Sequence, residues 1–214
     1  MTKKINDLFL TNTAVFHEMN LHLPTRTIYF GSVGVDSESD NDEVNCRTVG
    51  QLIKNLHILE TKEIAPITLL LNTPGGNYND GIAVYDLIKS LKSPITIIGM
   101  GKVFSMGSII LQAGEKRVLT KNTHIMIHDG SDGYIGDTKS FERWAEIAKL
   151  IRKTMYQIYY ERMKDKNKKI TLKQIEDLCS HDTIYTAEEG VKIGLADEII
   201  TKTEGDQNEQ RNTN

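Results

Sequence analysis

Four short segments of the sequence carry side chains that could take part in nucleophilic catalysis. Ser105 lies in Gly101-Lys-Val-Phe-Ser-Met-Gly107, just before an apolar helical stretch whose first amides could stabilise an anion. Ser105 is therefore the leading candidate nucleophile. An isolated Ser-x-Gly motif nevertheless indicates a helix-capping serine more often than a catalytic one. It is also not the Gly-x-Ser-x-Gly elbow of α/β-hydrolases, because Val103 stands where the first glycine should be.

A glycine pair follows the apolar run 67–71, the best candidate for a buried strand, in Asn72-Thr-Pro-Gly-Gly-Asn77. Pro74 stiffens this turn, and Gly75 and Gly76 allow the backbone to approach a ligand closely. Their amides could form half of an oxyanion hole. An ordinary strand-to-helix turn explains the same motif equally well.

A histidine and an aspartate could complete the chemistry. His128 ends the apolar run Ile125-Met-Ile-His128 and could accept a serine proton near neutral pH. A single histidine at a strand end is more often structural, and five others compete for the role: His17, His22, His57, His124 and His181. Asp182 could orient the imidazole and stabilise its cation, although a loop aspartate commonly bonds only to nearby backbone.

The order of apolar runs and amphipathic stretches predicts an α/β fold with a largely parallel sheet. We expect strands around 67–71, 95–98, 118–119, 125–127 and 195–200, and helices around 49–56, 82–91, 109–113 and 138–163. The apolar positions of the long helix at 138–163 cover more than one stripe, so it should be packed on two sides. A capping box at Thr186–Glu189 starts a further short helix, and Gly194 should end it.

Composition limits the class of protein. The chain of 214 residues is long enough for one domain with extensions, and its net charge of -3 argues against nucleic-acid binding. Cys46 and Cys179 are too few for a disulfide framework and lack the paired spacing of a zinc site, so a reducing compartment is expected. No apolar run reaches about 18 residues, so we expect no membrane segment and a cytoplasmic location. The acidic run 37–43 predicts an exposed loop. Residues 204–214 contain no apolar side chain and are therefore predicted to form a disordered tail.

Taken together, the motifs resemble one family. The series Asn-Thr-Pro-Gly-Gly, Phe-Ser-Met-Gly-Ser, Met-Ile-His and Asp-Thr-Ile-Tyr-Thr-Ala-Glu-Glu-Gly is similar, in order and spacing, to that of ClpP, the proteolytic subunit of the Clp protease. The likeness covers about 25–200. It implies an α/β fold with a crotonase-type spiral of β-β-α units and a protruding handle helix at 138–163. The implied division is an N-terminal segment 1–24, a single peptidase domain 25–203 and the tail.

The same resemblance assigns roles to residues. It places Ser105, His128 and Asp182 in a Ser-His-Asp triad and the backbone amides of Gly75 and Met106 in the oxyanion hole. It also places 130–136 in a glycine-rich strand that pairs with substrate and with an opposite ring. The implied substrate-binding residues are Gly76, Gly130, Ser131 and Gly133. No metal or cofactor is required by this mechanism.

The resemblance further implies a homo-oligomeric ring, heptameric and open to stacking as a tetradecamer, that degrades unfolded polypeptides with an ATP-dependent AAA+ unfoldase. Where the family usually has Gln-Pro after the histidine, this chain has Asp129-Gly130, so Asp129 or Asp132 is an alternative acid. Two other functions stay open: a catalytically inactive ring subunit, and a crotonase-type acyl-CoA hydratase or isomerase, which needs no nucleophile at Ser105.

Overall fold

The computed structural model describes residues 2–31, 43–131 and 133–200, with the backbone alone for 2–9. The predicted acidic loop, apart from Glu43, and the predicted disordered tail 204–214 lie outside this part of the chain. Asp132, one of the two alternative acids, also lies outside it.

The described chain contains seven α-helices and eight β-strands. The helices are α1 (Thr2–Met19), α2 (Cys46–Lys62), α3 (Tyr78–Ser90), α4 (Met106–Ala113), α5 (Thr138–Met163), α6 (Leu172–Cys179) and α7 (Ala187–Ile193). The strands are β1 (Leu21–His22), β2 (Thr27–Phe30), β3 (Ile67–Thr73), β4 (Ile95–Phe104), β5 (Lys116–Leu119), β6 (His124–Ile127), β7 (Thr183–Thr186) and β8 (Glu198–Ile199). The α/β class predicted from the sequence is confirmed.

One predicted strand is much shorter than expected. The run 195–200 forms only the two residues of β8, because the chain first completes the turn that ends α7. Gly194 adopts a φ of 92° there, and the amides of Leu195 and Ala196 both donate to the carbonyl of Gly190. Backbone groups engaged in this helix-ending turn are not available to a sheet. The capping box at Thr186 and Glu189 is present as predicted.

The sheet is mainly parallel, in the order β1-β2-β3-β4-β5-β8, with β6 joined to β4 and β7 joined to β6. Strand β4 has two neighbours on the same side. Its first half pairs with β5 over 96–99, and its second half pairs with β6 over 102–104. Gly101, with a φ of 61°, lies between the two halves. The amide of Lys102 donates to Asn72 Oδ1 on β3 at this point, so that a side chain replaces the missing ladder bond.

The core lies between the sheet and the helices that cover it. All residues of α4 are buried, whereas α2 buries a single face. Helix α5 buries only its last part, through Met155, Ile158, Tyr159 and Met163. Its earlier turns leave Phe141, Ile147 and Leu150 exposed. Within this chain the long helix is therefore packed over its C-terminal part and open before it.

A polar network joins the end of α4 to the last strand. Arg117 on β5 is almost fully buried and donates to Gln112 Oε1, to the carbonyl of Gly194 and to Asp197. Each of the three guanidinium nitrogens donates to at least one acceptor, which compensates the burial of the charge. No helix within the described ranges is long and apolar enough to cross a lipid bilayer.

Candidate active site

The second half of β4 carries Ser105 toward the end of β6. The strand residues Phe104 and Met126 pair in the parallel ladder, and the amide of Ser105 donates to the carbonyl of Met126 at 2.9 Å. Ser105 is thus fixed at the carboxyl edge of two neighbouring parallel strands, where His128 also emerges two residues beyond Met126. Side chains that follow adjacent parallel strands meet at this edge.

The backbone of Ser105 has an unusual conformation. Its φ of 52° and ψ of −122° are values that glycine adopts readily and other residues rarely do. The residue precedes α4, but its side chain makes no capping hydrogen bond to the helix. The interpretation of Ser105 as a simple helix cap therefore does not fit the structure. Its hydroxyl lies instead 2.8 Å from His128 Nε2.

His128 links the serine to the aspartate. Its Nδ1 lies 2.8 Å from Asp182 Oδ1, while its Nε2 faces Ser105 Oγ. If Nδ1 carries the proton and donates to the carboxylate, Nε2 is free to accept the serine proton. The His128 side chain is 17% exposed and that of Asp182 is 74% exposed. The imidazole is thus shielded, and the carboxylate next to it is in contact with solvent.

The structure brings together Ser105, His128 and Asp182 and directs two competing histidines elsewhere. His22 Nδ1 lies 2.7 Å from Thr25 Oγ1, and His181 Nδ1 lies 2.7 Å from Ser180 Oγ. Both contacts are local to surface turns. His128 is the histidine whose ring contacts a hydroxyl and a carboxylate from two distant segments.

The glycine loop after β3 lies directly against Ser105. A Cβ added to Gly75 would come within 2.6 Å of the Ser105 Cβ and 2.7 Å of the Phe104 carbonyl, so no larger residue fits. The Gly75 amide donates to Thr73 Oγ1 at 3.1 Å. Gly76 lies against Val44, whose amide donates to the Gly75 carbonyl and whose carbonyl accepts from Asn77. Among the described residues the Gly76 amide donates no hydrogen bond.

The segment after His128 differs from the expected glycine-rich strand. Residues 130, 131 and 133–137 belong to no strand, and Gly130 has a φ of 79°. A β-strand exists by pairing with another strand. The partners that the resemblance implies for this segment, a substrate and an opposite ring, are separate molecules, and no described strand pairs with it. Gly130, Ser131 and Gly133 are exposed.

Sequence reasoning missed a buried pair of hydroxyls behind the serine. Ser108 Oγ donates to the carbonyl of Ser105 at 2.7 Å and lies 2.6 Å from the hydroxyl of Tyr159 on α5. Burial raises the pKa of Tyr159 far above its usual range, so this phenol remains protonated. The signal in the sequence was a tyrosine on the apolar face of a helix, since a buried phenol requires a polar partner.

Comparison with known proteins identifies the family of the chain. Residues 40–203 match the family described as Clp protease. A relative from Deinococcus radiodurans, described as an ATP-dependent Clp protease proteolytic subunit, is 32% identical over 163 residues. That alignment covers 75% of this chain and 78% of the relative. On the family match and on this similarity, the chain belongs to the Clp protease family.

Proposed function

We propose that the chain is a serine endopeptidase that hydrolyses peptide bonds in unfolded polypeptides and short peptides. The observation that carries this proposal is the continuous line of hydrogen bonds from Ser105 through His128 to Asp182, 2.8 Å long at each step. A hydroxyl, a base and an orienting carboxylate in this order form the machinery of serine hydrolases. Membership of the Clp protease family supports the same reaction.

In the proposed mechanism, Ser105 Oγ attacks the peptide carbonyl while His128 Nε2 takes its proton. The protonated imidazole, stabilised by Asp182, then gives this proton to the leaving amine as the C–N bond breaks. Water then attacks the acyl-enzyme while His128 takes a proton from the water. His128 returns this proton to Ser105 Oγ as the bond between serine and the acyl group breaks. The residues present suffice for each proton transfer.

Backbone amides next to Ser105 would stabilise the oxyanion. The Met106 amide lies in the first turn of α4, where helix amides lack intrahelical acceptors. The resemblance assigns the second donor to Gly75, whose amide would have to exchange its bond to Thr73 Oγ1 for the oxyanion. The Gly76 amide, one residue further, is the alternative donor that needs no such exchange.

An extended substrate would be held through its main chain. In this proposal Gly76, Gly130, Ser131 and Gly133 line the path of the substrate strand, and pairing would order the irregular segment after His128. Main-chain hydrogen bonds fix an extended peptide without selecting strongly among side chains. We therefore expect broad cleavage specificity.

The peptidase domain, taken as 25–203, would assemble into a ring through its handle helix. Helix α5 leaves Phe141, Ile147 and Leu150 exposed, and Leu150 is 64% exposed. Apolar residues at these positions are best explained by burial against neighbouring copies in a ring of spiral β-β-α subunits. We propose a heptameric homo-oligomer, able to stack as a tetradecamer, that works in the cytoplasm with an AAA+ unfoldase.

Labelling with a fluorophosphonate tests the proposal. The assembled wild-type protein should react once, at Ser105, as located by mass spectrometry of the labelled peptide, and it should hydrolyse a short fluorogenic peptide. Ser105→Ala should lose both activities because the variant deletes the attacking oxygen. Ser90→Ala, which changes an exposed serine at the end of α3, is the matched control and should behave as wild type.

The outcomes separate the alternatives. Equal hydrolysis by wild type and Ser105→Ala would refute the serine mechanism. A ring that assembles but neither labels nor hydrolyses peptides would identify an inactive subunit. Hydration of an enoyl-CoA without labelling would identify a crotonase-type enzyme.

A further inference from the structure

We propose that Asp129 and Tyr156 form a positioning pair for His128, an inference that rests on the proposed peptidase function. Tyr156 lies on α5, and its hydroxyl donates to Asp129 Oδ1 at 2.5 Å. Asp129 directly follows the histidine whose ring joins Ser105 to Asp182. The pair thus fixes the backbone next to the base without contacting the reacting atoms.

Asp129 is held at two points. Its amide donates to the carbonyl of Cys179, the last residue of α6, at 2.7 Å. Its carboxylate accepts the hydrogen bond from Tyr156, which comes from a different helix. Two contacts from two directions restrict both the translation and the rotation of this residue. They also join the segment of His128 to the loop that carries Asp182, three residues after Cys179.

His128 needs such a support because the regular structure ends before it. The last residue of β6 is Ile127, and residues 130, 131 and 133–137 belong to no strand. Gly130 adds a φ of 79°, a conformation that glycine enters and leaves easily. Without the contacts of Asp129, His128 would be fixed only through the preceding strand β6.

The geometry favours positioning over a role for Asp129 as the acid of the triad. His128 Nδ1 is already engaged by Asp182, and the Asp129 carboxylate is engaged by Tyr156. Burial, and then the hydrogen bond to Asp129, raise the pKa of Tyr156 well above its usual range. The phenol therefore keeps its proton and remains a donor at neutral pH.

The same helix also supports the nucleophile. One turn after Tyr156, Tyr159 contacts Ser108, which donates to the carbonyl of Ser105. Two tyrosines at a spacing of three residues share a helix face. Through them, α5 fixes the backbone of Ser105 and of His128 relative to each other, over the part of the helix that is packed in the core.

Removal of either partner should slow the chemical step. Tyr156→Phe and Asp129→Ala should each lower kcat by between about 10- and 100-fold with little change in KM, because a displacement of about 1 Å of a catalytic group costs about 100-fold. The rate of fluorophosphonate labelling at Ser105 should fall in parallel. The double variant should be no slower than the slower single variant, since each single variant already removes the hydrogen bond between Tyr156 and Asp129.

Two further variants distinguish positioning from charge and from packing. Asp129→Asn keeps an oxygen that accepts from Tyr156 and should retain at least about half of the wild-type kcat. Tyr160→Phe, on the same helix, removes a hydroxyl without a hydrogen-bond partner among the described residues and should match wild type. If Asp129→Asn is as slow as Asp129→Ala, the charge of Asp129 acts directly and the positioning role is refuted.

Crystal structures of wild type and Tyr156→Phe give a readout independent of activity. The inference predicts that the distance from Ser105 Oγ to His128 Nε2 lengthens beyond hydrogen-bonding range in the variant, with the fold retained. Unchanged rates and an unchanged distance would overturn it. If the wild-type protein neither labels nor hydrolyses peptides, the proposed function fails, and the distance alone then decides whether Tyr156 positions His128.

Discussion

His128 and Asp182 face each other one position beyond the last residue pair of the ladder between β6 and β7. That ladder is antiparallel and ends with Ile127 opposite Thr183. The next two residues along the same register are the histidine and the aspartate, which lie 2.8 Å apart at their nearest atoms. Residues directly opposite in an antiparallel pair have neighbouring side chains. Strand register therefore sets the distance between them.

Replacement of Asp182 should slow peptide hydrolysis strongly. We expect Asp182→Ala and Asp182→Asn to lower kcat by between about 1,000- and 10,000-fold, because the imidazole loses its orientation and the partner of its cation. Steady-state kinetics with a fluorogenic peptide measures the effect. Asp177→Asn, an exposed aspartate on α6, is the control. A rate near wild type for Asp182→Ala would require another acid beside His128.

The exposed part of α5 should control assembly and, through it, size selection. Leu150→Glu should shift the protein from a ring to smaller species in size-exclusion chromatography with light scattering, because a charge would enter the apolar interface. Lys149→Gln, at an exposed position next to it, should leave the ring intact. The wild-type ring should cleave short peptides and spare stably folded proteins. A wild-type monomer that digests a folded protein unaided would contradict the closed chamber.

The ion pair between Arg117 and Asp197 predicts a pH-dependent stability. Burial alone raises the pKa of Asp197, but the hydrogen bonds and the charge of Arg117 outweigh it and hold this pKa below its usual value. Such a carboxylate stabilises the fold above its unfolded pKa of about 3.9, and the contribution is lost as the pH falls through the folded value. Asp197→Asn should therefore cost about 3 kcal/mol at neutral pH, because it leaves the Arg117 charge buried.

Urea denaturation at several pH values measures this difference, which should shrink below about pH 4 as the wild-type carboxylate is protonated. Glu198→Gln, which removes an exposed pair with Lys116, should cost less than about 1 kcal/mol. An equal loss for Asp197→Asn at acid and neutral pH would show that the charge of Asp197 is not involved.

The two cysteines should react very differently with iodoacetamide. Cys46 is exposed at the start of α2, whereas Cys179 is buried. Burial, and then the charge of Asp129, raise the pKa of the Cys179 thiol to about 12. The native protein at mildly alkaline pH should take one label, at Cys46, and Cys46→Ser should take none until denaturant is added. Rapid labelling of native Cys179 would mean that the region in which Asp129 contacts Cys179 opens in the native state.

The sequence predicted those parts of the fold that depend on local patterns. The bounds of α5 and the capping box of α7 were predicted because periodicity, caps and glycine act within a few residues. Helices α1 and α6 were not predicted, although α6 has a capping box between Thr171 and Gln174. The strand at 195–200 was predicted too long because apolar residues also complete helix-ending turns.

Contacts between distant segments could not be read from the sequence. The division of β4 between two neighbouring strands occurs where Gly101 has a positive φ and Asn72 accepts from the next amide, and neither residue indicates it alone. The role of Tyr156 likewise depends on its distance from Asp129, which lies 27 residues earlier in the chain. Ser105, His128 and Asp182 were identified as candidates by residue type and family resemblance, while their common hydrogen-bond line required the fold.

The backbone conformation of Ser105 lowers the stability of the fold at one position. A non-glycine residue at a φ of 52° and a ψ of −122° costs about 1–3 kcal/mol of folding free energy. Glycine would adopt the same angles without this cost, so selection for heat tolerance alone would replace the serine and lose the hydroxyl. Under the proposed function, a serine at a site that favours glycine thus exchanges folding stability for reactivity.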